Sequence, residues 1–129
     1  MSTNTDTEKS AIRQTILDHY HKGHALHDAE YYKPILHPEW KFFLLGEDGE
    51  LRIIDRDEYF SWYDPKDRDP ALDWETEFYS IDVTGNIAQV KLRLECQKVR
   101  YIDYFNMMKL DGTWWIVHKM SHGTDKTGG

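Results

Sequence analysis

The sequence predicts an α+β fold: a curved antiparallel sheet wrapped around a long N-terminal helix, with two further short helices. Three observations predict it. Ile12, Ile16, Tyr20, Gly23 and His27 recur at spacings of four and three, which places them along one face of a helix. From Trp74 onward the period changes to two, interrupted by Gly85-Asn86 and Asp111-Gly112, so the strands that follow form a meander. Between these regions lie a hairpin signal and a third capped helix.

The elements follow in order. A first helix spans residues 7 to 27, opened by Thr7 with Ser10. A short second helix starts at Asp28, a good N-cap, and stops near Leu36, where His37-Pro38 ends it. The aromatic stretch 39 to 46 pairs back on 51 to 54 around the Asp48-Gly49 turn. Asp55 caps a third helix carrying Tyr59, Phe60, Trp62 and Tyr63, and the charged, proline-containing loop 64 to 73 is the candidate for a mobile flap. Strands follow at 74 to 83, 87 to 97, 99 to 110 and 113 to 122. The 129 residues suit one domain with an ordered core from about 8 to 122, leaving Met1 to Thr7 and Gly123 to Gly129 as unstructured tails.

Composition excludes several functions. A net charge of −7 disfavours nucleic acid, whose affinity rests on lysines and arginines neutralising phosphates. The polar N-terminus lacks a secretory h-region and no apolar run would span a bilayer, so the expectation is a cytoplasmic protein without membrane contact. The single cysteine, Cys96, cannot pair internally and reads as a small buried apolar residue. With no P-loop, HExxH or dinucleotide fingerprint, no cofactor is expected.

The last hairpin carries the chemistry. If Asp111-Gly112 is a two-residue turn, Leu110 pairs with Thr113, Asp103 lies opposite Met120 and Tyr101 opposite His122. One face then holds Tyr101, Asp103, Phe105 and Met107 with Trp114, Ile116, His118, Met120 and His122. His118 and His122 become diagonal neighbours of Asp103, and Lys119 falls on the opposite face with Tyr104 and Asn106. Among apolar rings Asp103 would have a raised pKa, which a charged histidine would lower. It either serves a pocket or fixes a neighbouring tyrosine, histidine or backbone group.

The closing segment YIDYFNMMKLDGTWWIVHKM, with Tyr20 and the stretch LHPEWKFFL, resembles the nuclear transport factor 2-like superfamily, in particular its SnoaL-like or putative lumazine-binding branch. The resemblance implies a cone-shaped fold with a pocket at its open end, and dimerisation through the outer sheet surface. Members include isomerases, dehydratases, cyclases and non-enzymatic binding domains, so fold alone leaves function open. Against ketosteroid isomerases, the oxyanion tyrosine falls on Tyr20 and the pocket aspartic acid on Asp103, or on Asn106 if the turn is held fixed. The proton-abstracting aspartate falls near Leu44, which leaves that reaction without a base.

The expected function is a homodimeric small-molecule-binding domain with an aromatic pocket lined by Tyr20, His27, Trp40, Tyr59, Trp62, Tyr101, Asp103 and His118, with Phe105, Met120 and His122 on the same hairpin face. The alternatives are an acid/base isomerase, dehydratase or cyclase using Asp103 with His27 or His118, and a purely structural or interacting dimer. In the stretch DHYHKGHALHD, a regular helical wheel aims Tyr20 and His27 inward across a gap left by Gly23, and leaves His19, His21 and His24 on the helix surface. The His21/His24 and His24/His27 pairs lack a third ligand, so no metal is expected.

Overall fold

The computed structural model describes residues 2–127. The N-terminal helix runs as α1 (Ser2–Thr15), a π-helical segment (Ile16–His21) and α2 (Lys22–Ala25). A 3-10 turn (Ala29–Tyr32) leads into β1 (Leu36–Leu45), β2 (Leu51–Asp55) and α3 (Arg56–Phe60). Then come β3 (Glu75–Thr84), β4 (Ile87–Glu95), β5 (Val99–Leu110) and β6 (Thr113–Asp125). The predicted order and fold class hold. Both tails are shorter than expected: α1 begins at Ser2, and residues 123 to 125 continue β6 by pairing with Tyr101, Arg100 and Val99.

The caps are those the sequence announces. Asp28 and Asp55 accept from the backbone N–H groups of Glu30 and Glu58. Asp111 and Gly112 both have positive φ, 50° and 80°, the backbone that a tight two-residue hairpin turn demands.

The six strands form one sheet in the order β2-β1-β6-β5-β4-β3, antiparallel at every joint except β1/β6, which is parallel. Its inner face supplies Trp40, Phe42, Val90, Leu92, Leu94, Phe105, Met107, Trp114 and Ile116, packed against Ile12, Ile16 and Tyr20 of the helix. Burying these apolar groups is the main stabilising contribution.

Two irregularities shift the face of everything beyond them. In the last hairpin Met107 pairs with Ile116 but Asn106 with His118, so Val117 is bulged out of register. From there the pairing reads Phe105 with Lys119, Asp103 with Ser121 and Tyr101 with Gly123. The predicted facing of β5 is correct. That of β6 holds only as far as Ile116: Lys119 turns inward and is buried, while His118, Met120 and His122 turn outward. β1 is irregular beside it, with Leu36 paired to Ile116 but Lys41 to His118, and Pro38, which has no N–H to give a ladder, lies in that break.

The second irregularity is the π-segment. Each π turn takes one residue more than an α turn, which rotates the following residues backward around the axis. His24 therefore comes inward and is buried, where a regular wheel puts it on the flank. Gly23 is buried too, and the space beside it is filled by Tyr32, so no gap remains.

A Cβ on Gly23 would lie 2.2 Å from a Tyr32 ring carbon, and that ring is fully buried and hydrogen-bonded to His24. Overpacking outweighs the better helix propensity of alanine, which is worth under about 1 kcal/mol. Gly23→Ala is expected to lose roughly 1–3 kcal/mol in urea unfolding. A neutral or stabilised variant would refute the close packing of Tyr32 on this helix.

Candidate functional site

At the open end of the sheet, helix, α3 and hairpin deliver a group of polar side chains into an aromatic interior. Tyr20 comes from the π-segment, His24 from α2, Tyr59 from α3, Tyr63 from just beyond it, Asp103 from β5 and Lys119 from β6. Lys119 Nζ donates to Tyr20 Oη at 2.5 Å and to Tyr59 Oη at 3.2 Å, and the two phenols are 2.9 Å apart. Tyr63 Oη donates to Tyr59 Oη at 3.3 Å and lies 3.2 Å from His24 Nε2. Tyr32 Oη is 2.6 Å from His24 Nδ1, so the network runs from Lys119 to Tyr32 without a break. The ammonium also sits over the rings of Phe42 and Tyr59, at 4.3 and 4.8 Å from their centroids.

Burial sets the protonation preferences. It pushes the hydroxyls of Tyr20, Tyr32, Tyr59 and Tyr63 above the ordinary phenol range, so they stay neutral. It holds His24 well below the usual imidazole value, and the nearby Lys119 charge adds to this. A neutral imidazole has one donor and one acceptor nitrogen, which the two phenols at its nitrogens can satisfy. Burial raises Asp103 and lowers Lys119, and the attraction between the two opposes both shifts. Both carboxylate oxygens of Asp103 are buried and neither has a partner in good hydrogen-bond geometry among the described residues, although the Ser121 hydroxyl across the hairpin is near enough to favour the ionised form. Such a group needs an account, because an unpartnered buried acceptor costs about 1–3 kcal/mol.

Two cavities of about 300 Å³ each adjoin this network. They share the wall His24, Trp62, Tyr63 and Tyr101. The inner one reaches Tyr59, Lys119 and Ser121; the outer one opens toward His27, Trp74 and the loop carrying Asp67, Arg68 and Asp69. Trp74 stacks on Tyr101 with planes 3° apart. The loop expected as a flap is tied to the β4–β5 connection: Gln97 accepts from the Asp73 N–H at 2.8 Å and donates to the Ala71 carbonyl at 2.9 Å. His27 holds a positive φ of 53°, a conformation that costs a non-glycine residue energy, with its ring 5.1 Å from that of Tyr63.

Of the residues singled out in the sequence, Tyr20, Tyr59, Asp103 and Tyr101 converge here, and Trp62 and His27 line the cavities. Trp40 and Phe105 lie one layer deeper: Trp40 packs behind Tyr59 and Phe105 against the edge of Tyr20, both fully buried and lining neither cavity. The Val117 bulge removes His118, Met120 and His122 from the site. His118 instead meets Asn106 at 3.2 Å and Phe43 on the outer face. Lys119, His24, Tyr32, Tyr63 and Trp74 are the residues that sequence reasoning missed. The aromatic run Tyr59 to Tyr63 was a signal for Tyr63, whereas Lys119 and His24 depend on irregularities that no residue pattern announces. No cluster of three potential metal ligands occurs among the described residues.

His24 makes stability pH-dependent with a definite sign. Its folded-state pKa is depressed, so its contribution is present above about pH 6.5 and is lost as pH falls toward the folded value, at up to about 1.4 kcal/mol per pH unit. Over that window wild type is expected to lose stability more steeply than His24→Gln in urea unfolding. Parallel curves for the two proteins would show that His24 is not buried neutral.

Comparison with known proteins follows the same outline. The family model described as putative lumazine-binding matches residues 7–122. A nuclear transport factor 2-like protein of unknown function from Shewanella baltica superposes with a TM-score of 0.82 at 22% identity, covering 92% of this chain and 94% of that one. One from Silicibacter pomeroyi gives 0.81 at 21%, covering 93% and 98%. A protein from Novosphingobium aromaticivorans described as a putative scytalone dehydratase gives 0.72 at 16%, covering 97% and 91%. At these identities the structures share the fold and nothing finer. No curated protein matches the chain. The family match over nearly the whole chain establishes that the chain belongs to the putative lumazine-binding family, with the fold of nuclear transport factor 2-like proteins.

Proposed function

We propose that the protein is a binding domain for a small, flat, unsaturated molecule carrying a hydrogen-bond acceptor. The observation that carries this reading is the shared wall of His24, Trp62, Tyr63 and Tyr101 between two cavities, with Lys119 and Tyr59 at the inner end. Ligand sites combine apolar, aromatic walls with a few placed polar groups, and two adjoining spaces of about 300 Å³ suit a compact ligand. Trp62, Tyr101 and Trp74 would contribute stacking, and Lys119 and Tyr59 would direct hydrogen bonds at a carbonyl or ring nitrogen. His27, held in a backbone conformation that glycine would adopt freely, supports a role for its imidazole at the mouth. The family's description agrees with small-molecule binding.

The protein is further proposed to act as a cytoplasmic homodimer joined through the outer sheet surface. Phe43, Tyr104, Met108 and Met120 are all partly exposed there, forming an apolar face suited to a second copy.

The orphaned carboxylate favours a second reading, an acid/base isomerase or dehydratase without cofactor. A proton held by Asp103 at this depth could be passed to a ligand beside Lys119, and the relative described as a scytalone dehydratase is in keeping with that.

A thermal-shift screen of pterins, aromatic acids and polyketide-like ketones is expected to yield at least one compound that raises Tm, since a ligand bound by the native state alone stabilises it. Trp62→Ala is expected to weaken such a ligand about tenfold, the equivalent of roughly 1.4 kcal/mol of lost ring contact. Unchanged affinity would move the site away from the shared wall. Turnover of any such compound that survives Asp103→Asn would exclude Asp103 as the acid/base of the enzymatic reading. For the dimer, Met120→Asp is expected to convert the sedimenting species to monomer, and a wild-type monomer at micromolar concentration would refute it.

A further inference from the structure

We propose that Lys119 captures carbonyl compounds covalently: its amine, in the wall of the inner cavity, forms a reversible imine with an aldehyde or ketone held against Tyr59, Trp62 and Tyr101. The inference rests on the small-molecule reading of that cavity and names the ligand's reactive group.

Lys119 is in an unusual place for a lysine. It is 4% exposed, enclosed by the rings of Phe42, Tyr59 and Tyr20, yet it borders a cavity of about 300 Å³ together with Ser121 and Tyr101. An apolar side chain of similar length would fill this aromatic enclosure without the cost of desolvating an ammonium. The pairing is also incomplete: Lys119 hydrogen-bonds two neutral phenols and not Asp103, the one buried carboxylate among the described residues. Burial lowers the affinity of Lys119 for its proton, which favours the nucleophilic amine.

The surroundings supply what imine formation needs. The ammonium gives up a proton to solvent in the cavity, a loss that burial favours and that the Asp103 carboxylate, diagonal on the same face but not hydrogen-bonded to it, opposes. The free Nζ attacks the carbonyl carbon. A C–N bond forms and the carbonyl π electrons move to oxygen, which takes a proton while nitrogen gives one up, leaving a neutral carbinolamine. Its C–O bond then breaks as a proton from the Tyr59 phenol, which lines the cavity, joins the hydroxyl, which leaves as water. The nitrogen lone pair closes the C=N bond, and the resulting iminium returns its N–H proton to the Tyr59 oxygen. The sum is amine plus carbonyl giving imine plus water, with no oxidant or reductant. Tyr59, hydrogen-bonded to Nζ in the free protein and lining the cavity, is placed to donate to the departing oxygen.

The test incubates the whole protein at pH 7 with benzaldehyde and sodium cyanoborohydride, which reduces the imine to a stable benzylamine, and maps the adduct by peptide mass spectrometry. Benzyl alcohol, which cannot form an imine, serves as a competitor, and Tm is recorded with each compound alone. Lys119 is expected to be benzylated at least about tenfold faster than any other lysine, as a desolvated amine beside a proton acceptor should be. Benzyl alcohol should slow this, and Lys119→Arg should remove that adduct while labelling elsewhere continues. The wild-type peptide map decides the matter even if the variant does not fold. Labelling of Lys119 no faster than that of surface lysines overturns the imine. If Tm still rises with benzyl alcohol, the cavity remains a binding site. If neither compound raises Tm, the binding reading falls with it.

Discussion

The structure at the open end depends on keeping a charge-bearing amine out of water. Lys119 is admitted to the core because two phenols accept its hydrogen bonds, three aromatic faces surround it and Asp103 lies across the hairpin. Take any of these away and the desolvation cost of several kcal/mol is left uncompensated. The requirement fixes the position of Tyr20 on the helix and Tyr59 on α3, so the polar network is also what holds the helix, α3 and the last hairpin in one arrangement. Buried networks of this kind act as a unit, since each bond polarises the next in a medium of low dielectric.

Two departures from regular geometry make the arrangement possible. The bulge at Val117 exchanges His118 for Lys119 on the inner face, and the π-segment brings His24 to the same end. The backbone next to each stays hydrogen-bonded: Ile116 N–H donates to the Ile35 carbonyl at 2.7 Å beside the bulge, and Asp28 N–H reaches the Gly23 carbonyl at 3.0 Å after the π-segment. Bulges and π turns are enriched near functional sites because they re-aim side chains that a regular element would point elsewhere.

The walls contribute shape and the network contributes chemistry. Trp62, Tyr63, Tyr101 and Trp74 are rigid rings that define a flat space, and the loop above them is held by Gln97 at Asp73 and Ala71. Electrostatics inside that space are dominated by Lys119 and Asp103, since every tyrosine and His24 in the network is driven toward its neutral form. The chain's overall charge of −7 therefore says little about the site.

Much of the architecture could be read directly from residue order. The three-four spacing of Ile12, Ile16 and Tyr20, the capping aspartates 28 and 55, and the Asp111-Gly112 turn each express a local rule, and the α+β class and meander followed from them. Tyr59, Tyr101 and Asp103 were legible for the same reason, because none lies beyond an inserted residue in its own element, and Tyr20 was legible because it sits within the π-segment before the turn is fully displaced. Lys119 and His24 were not. In β6 the alternate residues Trp114, Ile116 and Trp115, Val117 make both faces equally apolar, so the pattern holds no preference for one register over the other. Only packing against β1 and the helix selects the bulged register, and one inserted residue then reverses every side chain that follows it. The sequence by itself determined which elements form and in what order; the tertiary structure alone decided which polar residues meet inside, because a face is a property of register, and register is set by partners distant in the chain.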